Sequence, residues 1–339
     1  MSYLELLRLA APETIVVLTA LAVLAVDLTS MRGLETRFRF IIGGLLTCVG
    51  CVAAIMWMLV LSAHANPAEG MLVVDPLTQL VKIALLALTI FTVLISIESN
   101  FTTHVGEYLA LILLATVGMM FLVSAEDILM IFVSLELTSL SLYVLTAFNK
   151  RDIKSAEAAL KYFLFGGMSA AFMLFGLSLI YGLSGSTNLS QIAAALAGKG
   201  LDPLLVVAIV MTVIGFGFKV AAVPFHLWAP DAYQGAPTPS AAFIASGSKV
   251  ASFFIFAKVM MLGFAGAEGS GAYRAFVPGW VPVIAIVAGL SMILGNFVAI
   301  VQCNVKRLLA YSAIAHAGYM LIAVLSHDQQ AVASLIYYA

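Results

Sequence analysis

The sequence predicts an all-α polytopic membrane protein, and three observations carry that prediction. Of its 339 residues, 63% are hydrophobic and only 10% are charged, against about 25% charged in soluble domains. Apolar runs of about 17–25 residues, each long enough to cross a bilayer as a helix, recur along the chain. Lysine and arginine concentrate in alternate loops between those runs, as an alternating topology requires. A net charge of −1 gives no basis for nucleic-acid binding.

The first apolar run, about 12–29, has no basic leader before it and no clear cleavage site after it, so it reads as a retained span. A second span covers about 39–62, and a third, about 76–97, opens at Asp75-Pro76. Spans four and five, about 107–124 and 127–148, are separated by a tight turn at Ser124-Ala125-Glu126. Span six runs about 155–183, and span seven, about 203–222, starts at Asp202-Pro203. Span eight, about 239–264, follows Pro237 and Pro239, and spans nine and ten cover about 279–302 and 304–325. An eleventh begins near Asp328 and is cut at Ala339, so the sequence reads as part of a longer subunit. Between spans seven and eight, "FHLWAPDAYQGAPTPSAAF" carries Pro230, Pro237, Pro239 and Gly235 just after Pro224, and is expected to hold no regular helix.

Loops after the odd-numbered spans hold Arg32, Arg37, Arg39, Lys150, Arg151, Lys154, Lys306 and Arg307, whereas loops after the even-numbered spans hold Lys199 and Arg274. The first set is expected on the cytoplasmic side, with the N-terminus outside.

Ionisable residues inside the apolar runs are the anomaly. Glu136 lies nine residues past Asp127, roughly 13 Å along a helix, where a charge costs about 2.5–3.5 kcal/mol. Lys82, six residues past Pro76, has a stem able to snorkel to the interface. Lys161 follows Glu157 by four residues, an ion-pair spacing on a helix face, or else serves a function. Lys219 lies about 25 Å from the start of span seven, just before the proline-rich break, and broken helices beside ionisable groups mark transport sites. Lys249 sits in "SGSK" near mid-span, where small residues permit close packing and serines can bond an amine. Lys258, nine residues on, faces the other way and reads as snorkelling or as a separate contact. His226 and His316 are either satisfied core residues or proton carriers, since histidine titrates near neutrality. Glu136, Lys161, Lys219, Lys249 and His316 can be drawn as one polar row at mid-membrane. Desolvation and neighbouring charges would then let its lysines load and release protons.

Of three cysteines, Cys48 and Cys51 form a CxxC inside an apolar helix and read as small core residues, and Cys303 stands alone. Iron–sulfur clusters usually take four cysteines each, so none is expected here. No HExxH or P-loop is present, and Gly215-Phe216-Gly217 lies in a membrane helix rather than in a dinucleotide fingerprint.

"GFGFKVAAVPFHLWAPDAYQGAPTPSAAFIASGSKVASF" and "VKRLLAYSAIAHAGYMLIAV" closely resemble the antiporter-like membrane subunits of respiratory complex I. The "YQGAPTP" form, with "LMIFVSLELTSLSLYVL" and "AEAALKYFLFGGMSAAF", is similar to the subunit N type of bacterial NADH-quinone oxidoreductase, and the likeness runs from about residue 10 to the end. It implies a fourteen-helix fold with two inverted five-helix repeats, each containing a broken helix. Residues 1–106 would be three preceding helices, 107–264 the first repeat and 277–339 the start of the second. By resemblance, Glu136 and Lys161 tune one another, Lys219 is the central protonatable group, and Lys249, His226 and His316 extend the hydrophilic axis. The implied function is proton translocation in a bacterial inner membrane, driven by electron transfer from NADH to quinone. NADH, flavin, iron–sulfur clusters and quinone would be held by partner subunits, with no cofactor on this chain. Subunits M and K and lipids are the expected neighbours. A multisubunit cation/proton antiporter of the same superfamily and a non-pumping scaffold are the alternatives.

Overall fold

The computed structural model describes residues 7–60, 71–99, 101–198, 200, 202–272, 274–326 and 329–338. Lys199, His64, His327 and Asp328 lie outside them. Fourteen α-helices order the described residues: α1 Ala11–Thr29, α2 Thr36–Val60, α3 Pro76–Ser96, α4 Val105–Ser124, α5 Ile128–Thr146, α6 Ile153–Ser184 and α7 Leu189–Leu196. They continue as α8 Pro203–Lys219, α9 Trp228–Gly235, α10 Thr238–Ala245, α11 Gly247–Lys258, α12 Trp280–Ile300, α13 Val305–Leu325 and α14 Gln329–Tyr338. Nine helical stretches among them are long and apolar enough to cross a membrane, and α8, at 17 residues, is shorter.

Helix starts follow side-chain chemistry. Asp75 accepts a 2.6 Å bond from the Thr78 amide while the Thr78 hydroxyl accepts from the Asp75 amide at 3.0 Å, a reciprocal cap with Pro76 in the first turn. Asp202 caps α8 and Asn304 caps α13 in the same way, each side chain accepting a 3.2 Å bond from a first-turn amide. Two features depart from the sequence reading. The proline-rich segment forms α9 and α10, because Pro230 and Pro239 fall in first turns, where no amide donor is lost. A short amphipathic helix, α7, capped by Asn188, occupies what reads as a loop.

The chain divides into two compact units. In the first (residues up to 126, 130–160 and 235–251), α4 is the axis, buried along most of its length. Val16 and Ala20 of α1, Cys51, Ala54 and Met58 of α2, and Leu86 of α3 close on its Ala110, Leu113, Val117 and Met120. Cys51 is thus a core residue. The hydroxyls of Thr89 and Thr116 meet at 2.7 Å between α3 and α4, and the Tyr108 hydroxyl lies 3.3 Å from both Ser96 and Ser240. Asp27 and Arg39 form a two-bond pair at 2.8 and 2.5 Å that ties α1 to α2, and the Gly106 amide donates to the same carboxylate at 3.0 Å.

In the second unit (127–129, 161–234 and 252–339), α12 and α13 pack tightly across small residues. A Cβ at Gly295 would lie 2.6 Å from the Ala315 nitrogen, and one at Gly318 would lie 2.8 Å from the Ala288 carbonyl. Trp280, fully buried, donates its indole N–H to the Phe264 carbonyl at 3.0 Å. After α11 the chain makes a π-helical turn over Val259–Gly263, against which α7 packs.

A Cβ at Gly118 would meet backbone, 2.8 Å from the Thr138 nitrogen and 3.0 Å from the Ser134 carbonyl oxygen, whereas one at Gly167 meets nothing within 4 Å. Gly118→Ala is therefore expected to lower stability by about 1–3 kcal/mol. Gly167→Ala should raise it by up to about 1 kcal/mol. Thermal unfolding of the full-length protein in detergent measures both.

Candidate functional site

The site begins where α8 stops. Ala221 takes a left-handed conformation (φ 58°). Its amide donates to the Phe218 carbonyl at 3.1 Å, and the Ala222 amide donates back to the Gly217 carbonyl at 2.8 Å. These two bonds and the left-handed residue are the Schellman stop, which satisfies the last carbonyls of a helix. Lys219 is the final helical residue and is only 8% exposed, so a buried amine sits at the carbonyl end of the helix, where the peptide dipoles favour a cation. Gly217 is required there, since a Cβ would lie 2.6 Å from the Phe225 ring. Beyond the stop, the Val223 amide donates to the Ser291 hydroxyl at 2.9 Å. His226 is buried, with its ring 6.5 Å from that of Tyr311.

The chain then re-enters a helix. Trp228 is buried, stacks on Tyr162 at 4.2 Å with 3° between planes, and donates to the Phe218 carbonyl at 2.9 Å. That anchoring sets the first turn of α9, in which Asp231 lies. Its carboxylate is shared: Oδ2 accepts from Lys161 Nζ at 2.9 Å, and Oδ1 accepts from Arg307 Nη1 at 2.5 Å. The same Arg307 nitrogen donates to Gln234 Oε1, three residues along α9, at 3.1 Å. Beyond the Glu157 partner that sequence spacing suggests for Lys161, the structure brings Asp231 to it from another helix. Asp231 and Arg307 join Lys161 in one cluster, although the sequence pattern does not single either out as a candidate. The signal for Asp231 was an acid just after Trp228 and Pro230, a helix-start pattern inside a segment read as irregular.

His316 lies mid-way along α13 but on its exposed side, because Ala310, Ile314, Ala317, Leu321 and Val324 make the buried face. Its Nδ1 is 2.5 Å from the Tyr338 hydroxyl and its ring stands edge-on to Tyr319, whose hydroxyl accepts from Asn296 Nδ2 at 2.9 Å. Lys161, Lys219, His226 and His316 belong to the second unit.

Glu136 and Lys249 belong to the first unit. Glu136 is half-buried in the middle of α5, on a helix lined by buried Ser134, Thr138, Ser139 and Ser141. Thr138 and Ser141 donate to the carbonyls one turn back, at 2.9 and 3.0 Å. Lys249, 6% exposed, lies in the first turn of α11, immediately after α10 ends at Ala245. The Ser246 and Ser248 hydroxyls donate to the Ala242 and Ile244 carbonyls at 2.8 and 2.9 Å. Lys82 does not snorkel. It is buried and pairs with Glu13 of α1 at 2.6 Å, the two side chains 5% and 2% exposed. Snorkelling fails here because α1 offers a carboxylate at the depth of the amine, a contact that spacing along one helix does not reveal.

Residues 125–339 match the profile of the family described as NADH:quinone oxidoreductase/Mrp antiporter, transmembrane. The chain is 53% identical to NADH-quinone oxidoreductase subunit N 2 of Acidobacterium capsulatum, over 99% of this chain and 69% of that protein. It is 40% identical to NADH-quinone oxidoreductase subunit N of Desulforamulus reducens, over 91% of this chain and 62% of that one. Among solved structures, a chain of respiratory complex I from Thermus thermophilus with bound Aureothin superposes with a TM-score of 0.76 at 32% identity, over 96% of this chain and 67% of its own. The chain thus spans about two thirds of the length of these relatives.

Two stability experiments follow from the local geometry. Lys82→Met strands a buried carboxylate and should cost about 3–5 kcal/mol, most of it recovered in Glu13→Gln/Lys82→Met. Ala221→Gly removes the left-handed penalty at the helix stop and should raise stability by about 1 kcal/mol. Thermal unfolding of the full-length protein checks each.

Proposed function

This chain belongs to the subunit N branch of the NADH:quinone oxidoreductase/Mrp antiporter membrane family, and from that membership we propose that it moves protons across the membrane through its buried lysines. The observation that carries the reading is Lys219. A buried amine sits on the last turn of an interrupted helix, and irregular backbone at membrane depth is tolerated where it lines a cavity or is buried in protein. The stop at Ala221 supplies such backbone while the Gly217 and Phe218 carbonyls accept from the Ala222 and Ala221 amides.

In this mechanism Lys219 is the central carrier. Its amine accepts a proton as neighbouring positive charge withdraws and gives it up as that charge returns. Lys161 is the neighbour whose charge is set by Asp231, and Glu136 is the acid that balances it. Lys249, His226 and His316 extend the path, with water carrying protons along it. Electron transfer from NADH to quinone takes place in partner subunits, which hold the flavin, iron–sulfur clusters and quinone, and drives the change in field. Subunits M and K are the proposed membrane neighbours. The proposed setting is the bacterial inner membrane, with the N-terminus on the periplasmic side and two inverted repeats in the full-length subunit.

The test uses the full-length subunit in its native membranes. NADH-driven proton uptake is followed in inverted vesicles, beside the amount of assembled complex. Lys219→Ala should reduce uptake at least ~10-fold with assembly retained, within the ~10²–10⁴-fold worth of a positioned proton-transfer group. Asp231→Asn should reduce it less, and Asp231→Glu should restore it. Full pumping by assembled Lys219→Ala complex would remove the relay at that position, and loss of assembly in every variant would favour a packing role.

A further inference from the structure

A cleft of about 250 Å³ opens in the first unit between the start of α2, the segment leading into α4 and the end of α5. Lys150, Arg151, His104, Asn149, Thr36 and Thr103 are among its lining residues, and no carboxylate is among the described ones. Lys150 and Arg151 are exposed in the loop after α5, on the side that the distribution of lysine and arginine assigns to the cytoplasm. Arg39 adds no free charge, because it is spent on Asp27; its remaining nitrogen donates to the Thr103 carbonyl at 2.9 Å and fixes that wall. His104 is paired with Glu107 at 3.3 Å. Asp152, just past the cleft, is turned to α6, accepting from the Lys154 amide at 3.0 Å. Beside the rings of Phe101 and Phe148, what faces the opening is two cations, several hydroxyl and amide groups, and the N-terminal turns of α2 and α4, whose dipoles add positive potential.

The second observation lies directly below. From the first turn of α2 an exposed apolar strip runs down the helix: Phe38, Ile41, Ile42, Leu45, Val49, Val52 and Met56. The spacing keeps these on one face, and 18 residues of rise from Phe38 to Met56 span roughly 27 Å, close to the ~30 Å hydrocarbon core. The cleft is therefore a positively charged recess at the head of an exposed apolar strip. Its volume is below the ~300–1,000 Å³ of pockets that enclose whole small-molecule ligands, which suits a headgroup whose chains lie outside.

We propose that this cleft binds the phosphate of an anionic phospholipid, with Lys150 and Arg151 on the headgroup and the acyl chains laid along the exposed face of α2. Basic recesses between membrane helices on the cytoplasmic side recognise such headgroups. The inference rests on the membrane topology and not on the proton path, so failure of one leaves the other standing.

Native mass spectrometry of the full-length protein, purified in mild detergent, tests it. Added phosphatidylglycerol should be retained and phosphatidylcholine should not. Lys150→Gln/Arg151→Gln should weaken phosphatidylglycerol retention about 30-fold, the effect of two basic charges near the surface. Lys150→Arg/Arg151→Lys should keep it, and Arg32→Gln/Arg37→Gln, which alters exposed charges that do not line the cleft, should leave it unchanged. Equal retention by the Gln variant, or equal binding of phosphatidylcholine, overturns the proposal. Displacement of the lipid by millimolar inorganic phosphate would make this a free-anion site, and a carbodiimide cross-link from Lys150 to a neighbouring protein's carboxylate would make it a protein contact; either result also overturns it.

Discussion

A charge placed at the depth of a lipid bilayer has to be answered by another charge or by water, and this protein is arranged around that demand. Glu13 answers Lys82, Asp27 answers Arg39, and Asp231 answers both Lys161 and Arg307. In each case the partners come from different helices, so the electrostatic requirement also fixes which helices lie side by side. Removing Lys82 leaves the Glu13 carboxylate buried without its charge partner, which an apolar core does not tolerate. The first two pairs hold the opening helices together around α4. The third is different in kind, because its carboxylate lies on the segment that follows a helix break and its two cations lie on α6 and α13.

The break obeys the companion rule for backbone. A helix that ends in a membrane protein exposes carbonyls that water is not there to satisfy. Here the chain closes its own ladder through Ala221 and Ala222, hands the Val223 amide to Ser291, and uses the Trp228 indole to occupy the Phe218 carbonyl. Lys219 is left at the mouth of the finished stop. A lysine there gains from the helix dipole without a hydrogen bond being sacrificed to place it.

The spans were legible because hydrophobic length is a local property: Asp75-Pro76 and Asp202-Pro203 mark helix starts as written, and most ends fall within a few residues of the apolar boundaries. The candidate residues were legible as anomalies, since an ionisable group in an apolar run announces itself. Their partners were not. Nothing in the sequence near Lys82 points to Glu13, which α1 brings to 2.6 Å of its amine, and Asp231 reads as loop although Trp228, stacked on Tyr162, opens a helix there. Helices α9 and α10 were hidden by counting prolines without placing them: a proline in a first turn initiates rather than interrupts. Which face of α13 packs on α12 is decided by the small residues where the two helices meet, a contact that the depth of His316 along its span does not reveal.

The carboxylate of Asp231 has two oxygens and a different cation on each. Arginine keeps its charge at any pH a cell meets, so the trio is never without one fixed plus and one fixed minus. A proton gained or lost at Lys161 would change the charge of this trio by one, and α9 carries the shared carboxylate on the same short piece of chain that leads back to Lys219.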